Sequence, residues 1–142
     1  MSDVQITLSA RHATPAMRDI RNRVFIDEQK VAPELEWDEH DATATHFLLT
    51  VDGRALGTAR LLPSGRIGRV ALLPEARGKG LGLQLMRAVM DHAQQLGLQH
   101  LELSAQTHAL GFYEQLGFAA CSDVYLDAGI PHQTMRYAIG GG

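Results

Sequence analysis

Residues 66–97 read RIGRVALLPEARGKGLGLQLMRAVMDHAQQLG, and three patterns follow one another within them. RIGRVALL, residues 66–73, is an apolar, partly β-branched run stopped by Pro74, as a strand is. Leu81, Leu85, Val89, Ala93 and Leu96 then recur at helical spacing, and Gly97 stands where a helix C-terminus favours a left-handed residue. Between the two lies RGKGLG, residues 77–82. The next apolar run, LQHLELSA at 98–105, completes a strand, loop, helix, strand unit. Such a unit is a right-handed crossover between parallel strands.

The glycine loop invites a phosphate. A helix N-terminus presents backbone N–H groups that lack internal partners, together with the positive end of the helix dipole. Gly78, Gly80 and Gly82 remove side chains that would block an approach, and Arg77 and Lys79 add positive charge. A plain tight turn is the other reading of three glycines. Two familiar phosphate loops fit poorly. A P-loop needs Ser or Thr after its lysine, and Gly80 follows Lys79. A dinucleotide fingerprint needs a third glycine where Leu83 stands, and only ~40 residues remain beyond Glu102, too few for a second nucleotide-binding half.

Outward from this unit, VQITLS at 4–9 alternates like a half-buried strand. Thr14-Pro15 offers an N-cap and a first-turn proline, with Met17, Ile20 and Val24 following at helical spacing. That helix is expected to end before Pro33. THFLLTVDGRALGTARLLPSG reads as two strands joined at Asp52-Gly53. THALGFYEQL is a short helix closed by Gly117, and FAACSDVYL and HQTMRYAI are two last strands. The order predicts one α/β domain over residues 1–139, a mixed sheet with helices on both faces, and a flexible tail at 140–142.

Composition narrows the functional classes. The chain has 142 residues, 45% apolar and 20% charged, as an ordinary globular domain does. A net charge of -3 argues against a general nucleic-acid binder. No apolar run approaches the ~18 residues of a membrane span, and MSDVQITLSARHATP lacks the pattern of a secretory signal. A single cysteine, Cys121, cannot form an internal disulfide, so a reducing, cytoplasmic setting is expected. The seven histidines show no metal-ligand spacing, and no metal site is expected.

Two motifs carry a resemblance that covers essentially the whole chain. Arg77-x-x-Gly80-x-Gly82 after the strand is similar to the R/Q-x-x-G-x-G/A loop of the GNAT N-acetyltransferase superfamily. ALGFYEQLGF at 109–118 resembles that superfamily's later helix, ending in aromatic-Tyr-x-x-x-Gly-Phe. VFIDEQKV, EWDEHD, AQTHALGFYEQLGF and DAGIPHQTM together resemble its ElaA/YjcF-type branch.

The resemblance implies a mostly antiparallel, six- to seven-stranded sheet and acetyl-CoA as donor. Its pyrophosphate would lie on the loop from Arg77 through Gly78, Lys79, Gly80 and Leu81 to Gly82. Its pantetheine arm would run beside Val70, Ala71 and Leu72, in a gap where this strand splays from LELSA. The Leu72 N–H would stabilise the developing oxyanion. Tyr113 would protonate the departing thiolate, and Gln106 would orient the pantetheine. Phe112, Tyr113, Leu116 and Phe118 are close in sequence, and a plain core aromatic is the other reading of Tyr113.

Many relatives carry a glutamate base on the strand before the loop, and GRIGRVALL has no acid. Glu36, Asp38, Glu39, His40 and Asp41 are candidate replacements, and this acidic stretch suggests a cationic amine. Arg69, His108 and His132 are further candidates on the acceptor side, with Arg66 and Arg69 able to favour an anionic group instead. The acceptor implied is a small-molecule or peptide amine attacked directly in a ternary complex. A homodimer is an arrangement frequent among relatives. The alternative is an acyl-CoA-binding or sensing domain without turnover.

Overall fold

Asp52 and Gly53 both have positive φ (52° and 82°), the backbone of a tight two-residue hairpin turn. They join β2 (Thr45–Val51) to β3 (Arg54–Leu61) in the middle of the sheet's antiparallel half. The computed structural model describes residues 2–139; the tail expected at 140–142 lies outside them. β1 (Val4–Ala10) pairs with β2, and β4 (Arg66–Leu72) pairs with β3, all antiparallel. β5 (His100–Gln106) runs parallel to β4 across the crossover helix α3 (Leu81–Gln95). β8 (Ile130–Ala138) pairs antiparallel with β5.

Among the described residues eight strands form the sheet. The segment read as one strand, FAACSDVYL, is two short ones, β6 (Ala119–Ala120) and β7 (Tyr125–Asp127), both paired with β8. Between them Ser122 leaves the ladder: its hydroxyl accepts from the Thr134 N–H and its carbonyl accepts from Gln133.

β3 is buried at six consecutive positions, Leu56 to Leu61, so both of its faces are covered. Helix α3 covers the face with Phe47 and Gly57: His92 meets Phe47 edge-on, and Leu85 lies 3.5 Å from a Cβ built on Gly57. Helix α1 (Pro15–Arg21) covers the face carrying His46, Thr58 and Arg60. It begins as the sequence predicts, with the Thr14 hydroxyl accepting from the Met17 N–H, and stops before Pro33. Its last turns are a π-helix over Asn22–Glu28, closed by the Gln29 N–H donating to the Val24 carbonyl. Such widened turns recur at functional sites, and this one places Phe25, Glu28 and Gln29 beside β4 and β5. A short α2 (Pro33–Glu36) follows. Beyond β5, α4 (Leu110–Glu114) carries Tyr113.

Candidate active site

Among the described residues β4 and β5 are neighbours only where β4 begins, against the middle of β5. Arg66 pairs with Glu102 and Ile67 with Leu103; from Gly68 onward β4 has no partner on β5 among the described residues. An irregularity in β4 causes the divergence. Thr58 faces Ala71 and Arg60 faces Gly68, so β4 spends three residues where β3 spends two. This is a bulge, and Arg69 within it has φ +52°. The strands open into a cleft of about 760 Å³. Val70, Ala71 and Leu72 line one wall, Ser104 and Gln106 the other, and Gly82, Phe112 and Tyr113 the α3 and α4 side.

The alternation of strand amides orients the Leu72 backbone. The Leu73 N–H donates to the Leu56 carbonyl of β3 at 2.9 Å. The amide one residue earlier therefore points away from β3, toward the cleft. Its carbonyl does likewise, and accepts from Arg77 Nε (3.2 Å) and Nη2 (3.0 Å). Arg77 also makes a two-pronged pair with Glu28, both contacts at 2.8 Å, which holds the Glu28 carboxyl below its usual range. Arg77 thus braces the loop against the π-helix while lining the cleft.

The loop presents open backbone. Gly78 and Gly80 have φ of +76° and +77°, and a Cβ built on either meets nothing within 4 Å. Gly80 caps α3 with no side-chain hydrogen bond, so the first-turn amides lack an internal partner. Gly82 is different: a Cβ there would lie 3.1 Å from Phe112 and 3.3 Å from Leu72. A side chain there would press on Phe112 and Leu72, which would have to give by a few tenths of an ångström. Leu81 is buried in the core, whereas Lys79 is exposed. Open amides beside a strand gap are the shape a pyrophosphate with an extended arm would fit.

Tyr113 is buried among Phe112 and Phe118, which it meets edge-on. Burial pushes its hydroxyl up to about 12. That hydroxyl makes no hydrogen bond to a described residue, and the side chain lines the cleft. Gln106 lies opposite, its amide N–H donating to Gln29 Oε1 at 2.9 Å. His108 lines the cleft from an exposed turn, and His132 is buried at its far wall.

The acidic stretch corrects the sequence reading. Glu36, Asp38 and Asp41 do not form an open anionic surface: three arginines hold them. Arg21, 1% exposed, reaches Glu36 at 2.7 Å and Asp41 at 2.8 Å. Arg60 reaches Asp38 at 2.7 Å and Asp41 at 3.0 Å. Arg69 reaches Glu36 at 3.2 Å and Asp38 at 3.1 Å. Burial would raise the Asp41 carboxyl, but the hydrogen bonds from Arg21 and Arg60 hold it at about 2. Asp38 is lowered in the same way, burial being outweighed by Arg60. Glu36, 2% exposed, is raised: its burial outweighs Arg21 and Arg69. Asp38, His40 and Asp41 do not line the cleft, and Glu39 and His40 are exposed on a 3-10 turn. Charge compensation leaves Glu36, Asp38 and Asp41 no surplus to attract a cation, and the exposed Glu34 and Glu39 do not line the cleft. Arg66 is likewise held, by Glu102 at 2.6 Å.

Arg21 and Arg60 escaped the sequence reading, and Arg21 left a trace. It lies four residues from Met17 and three from Val24, on the apolar stripe of α1, where a charge requires buried partners. Among the described residues no group of three or more His, Cys, Asp or Glu side chains could hold a metal ion, and no helix is long and apolar enough to cross a membrane.

The sequence and the fold recur in known proteins. Residues 11–139 match the family model described as an acetyltransferase (GNAT) domain. The uncharacterized N-acetyltransferase YjcF of Bacillus subtilis is 33% identical over 120 residues, covering 82% of this chain and 86% of YjcF. The crystal structure of an acyl-CoA N-acyltransferase from Pseudomonas aeruginosa has 36% identity and a TM-score of 0.84, covering 94% of this chain and 99% of that one. Escherichia coli ElaA has 29% identity and a TM-score of 0.82, covering 96% and 99%. The chain belongs to the GNAT acetyltransferase family, in the branch that holds ElaA and YjcF.

Proposed function

We propose that the protein transfers an acyl group, acetyl first among them, from a coenzyme A thioester to a primary amine by direct attack in a ternary complex. One observation carries this reading: the Leu72 amide and the Tyr113 side chain face a single strand gap that adjoins the uncapped N-terminus of α3. The amides from Gly78 to Gly82 would hold the pyrophosphate, and the β4 edge the pantetheine arm. The Leu72 N–H would polarise the thioester carbonyl, a contribution of ~3 kcal/mol for one such donor.

With a hydroxyl at about 12, Tyr113 stays protonated throughout the neutral range. It can therefore hand its proton to sulfur as the C–S bond breaks. Cys121 is exposed and does not line the cleft, which favours direct attack over an acyl-cysteine. The arginine-paired Glu36, Asp38 and Asp41 favour no cationic acceptor, so a test panel should span amines with and without acidic groups.

The test is release of free CoA thiol from acetyl-CoA with that panel, for wild type and Tyr113→Phe. Loss of one proton donor is expected to lower kcat ~10²–10⁴-fold with CoA affinity retained. CoA binding without turnover by wild type on any amine would favour the sensing domain instead.

A further inference from the structure

The cleft also holds a proton acceptor other than a carboxylate, the histidine of DAGIPHQTM. β4 carries no acid, and two carboxylates of the cleft are engaged: the exposed Glu28 by Arg77, and the buried Glu36 by Arg21 and Arg69. His132 is different. Its Nδ1 lies 2.6 Å from the Ile130 carbonyl oxygen. A carbonyl only accepts, so Nδ1 carries the hydrogen, and a neutral ring must then hold its lone pair on Nε2. Nε2 makes no hydrogen bond to a described residue and is not sealed within the protein.

The ring is held in place. It is 8% exposed and stacks on Tyr125, with centroids 6.3 Å apart and an 18° angle between planes. The Tyr125 hydroxyl is fixed in turn by Ser104 at 2.5 Å and Thr134 at 3.0 Å. His132 also sits directly opposite Gln106 in the β5–β8 register and lines the cleft. An oriented imidazole with its second nitrogen open is the arrangement a general base requires.

We infer that His132 is the general base of the transfer, removing a proton from the attacking amine through Nε2. This rests on the transferase reading. The amine lone pair forms the C–N bond at the thioester carbonyl carbon, and the nitrogen loses a proton to Nε2. The C–S bond breaks as Tyr113 gives its proton to sulfur. The imidazolium proton restores the phenol through solvent. Tyr125 faces His132 across β7 and β8, and the ionisable groups that line the cleft with it are Glu28, Glu36, Arg60, Arg66, Arg69, Arg77, His108, Tyr113 and Asp127. Asp127 and His108 are both exposed, whereas His132 is buried and fixed by its hydrogen bond to Ile130.

Two measurements test the assignment. Long-range ¹H–¹⁵N NMR of histidine-labelled protein, with His132 identified by its loss in His132→Gln, is expected to show Nε2 as the bare nitrogen. A proton on Nε2 would overturn the assignment without reference to turnover. In steady-state assays, wild-type kcat/KM for the amine should rise with pH, as general-base catalysis requires. His132→Gln should lower it ~10²–10⁴-fold and change the shape of that rise, with CoA affinity unchanged by calorimetry. His132→Ala should regain activity with added imidazole, which a packing role would not allow. A substituted enzyme that keeps the wild-type profile refutes His132 alone. A wild type that binds CoA but acylates no amine removes the transferase reading and this inference together.

Discussion

Replacing Arg21 by methionine tests the arginine–carboxylate network behind the cleft. Arg21 is 1% exposed and holds Glu36 through Nε at 2.7 Å and Asp41 through Nη1 at 2.8 Å. Its Nη2 also donates to the Glu36 carbonyl at 3.1 Å, and its guanidinium lies 4.0 Å from the Trp37 ring centroid. Methionine fills much of the volume but leaves the Glu36 carboxylate buried with Arg69 alone. Removing one partner of a buried ion pair costs ~3–5 kcal/mol. For 142 residues, an unfolding entropy of ~2.1 cal/mol/K per residue converts this to a Tm loss of ~10–17 °C. Trp37 is the chain's single tryptophan, so its fluorescence reports the site while circular dichroism reports the whole fold. The loss should be smaller near pH 5 than near pH 7.5, because the orphaned Glu36 then takes up a proton. Adding Glu36→Gln should restore at least ~1 kcal/mol as a coupling. A Tm within about 3 °C of wild type, under ~1 kcal/mol at this size, would refute the reasoning.

Other expectations follow from single residues. Asp41 is 18% exposed, and its drop from 3.8 to about 2 is worth roughly 2 kcal/mol of stability. That contribution is present above pH ~3.8 and lost as pH falls toward ~2; Asp41→Asn should therefore flatten the acid limb of a denaturant-monitored stability profile, with Glu36, which shifts the opposite way, left in place. Gly80→Ala forces a side chain into φ +77° with nothing within 4 Å to clash, so only the backbone cost of ~1–2 kcal/mol is expected, read as a lower midpoint in urea.

Much of the fold was legible because local chemistry and tertiary demand agree. Asp52-Gly53 forms the predicted hairpin, Thr14-Pro15 caps α1, and Gly97, at φ +80°, follows the end of α3. The crossover between β4 and β5 is where periodicity placed it, and the splay between them matches the expectation drawn from the family likeness. The π-turn at Asn22–Glu28 was not legible, since its sequence keeps ordinary helical spacing. The acceptor side misled for another reason. Acidic residues at 36, 38 and 41 suggest a cation site only if their counter-charges are unseen. Those counter-charges are Arg21, Arg60 and Arg69, 15 to 33 residues away in the chain, and folding alone brings them together. The role of His132 depends on a hydrogen bond to a carbonyl two residues away, which no spacing rule reports.

The central claim is that the loop from Arg77 to Gly82 and the adjoining strand gap bind a coenzyme A thioester. Calorimetric titration with acetyl-CoA, alongside 3′-dephospho-CoA and ATP, tests it most directly. One site is expected, with a dissociation constant between ~1 μM and ~1 mM as is usual for enzyme substrates, retained binding of the dephospho form, and little binding of ATP. No heat with acetyl-CoA at high protein concentration, or ATP binding in its place, would contradict it.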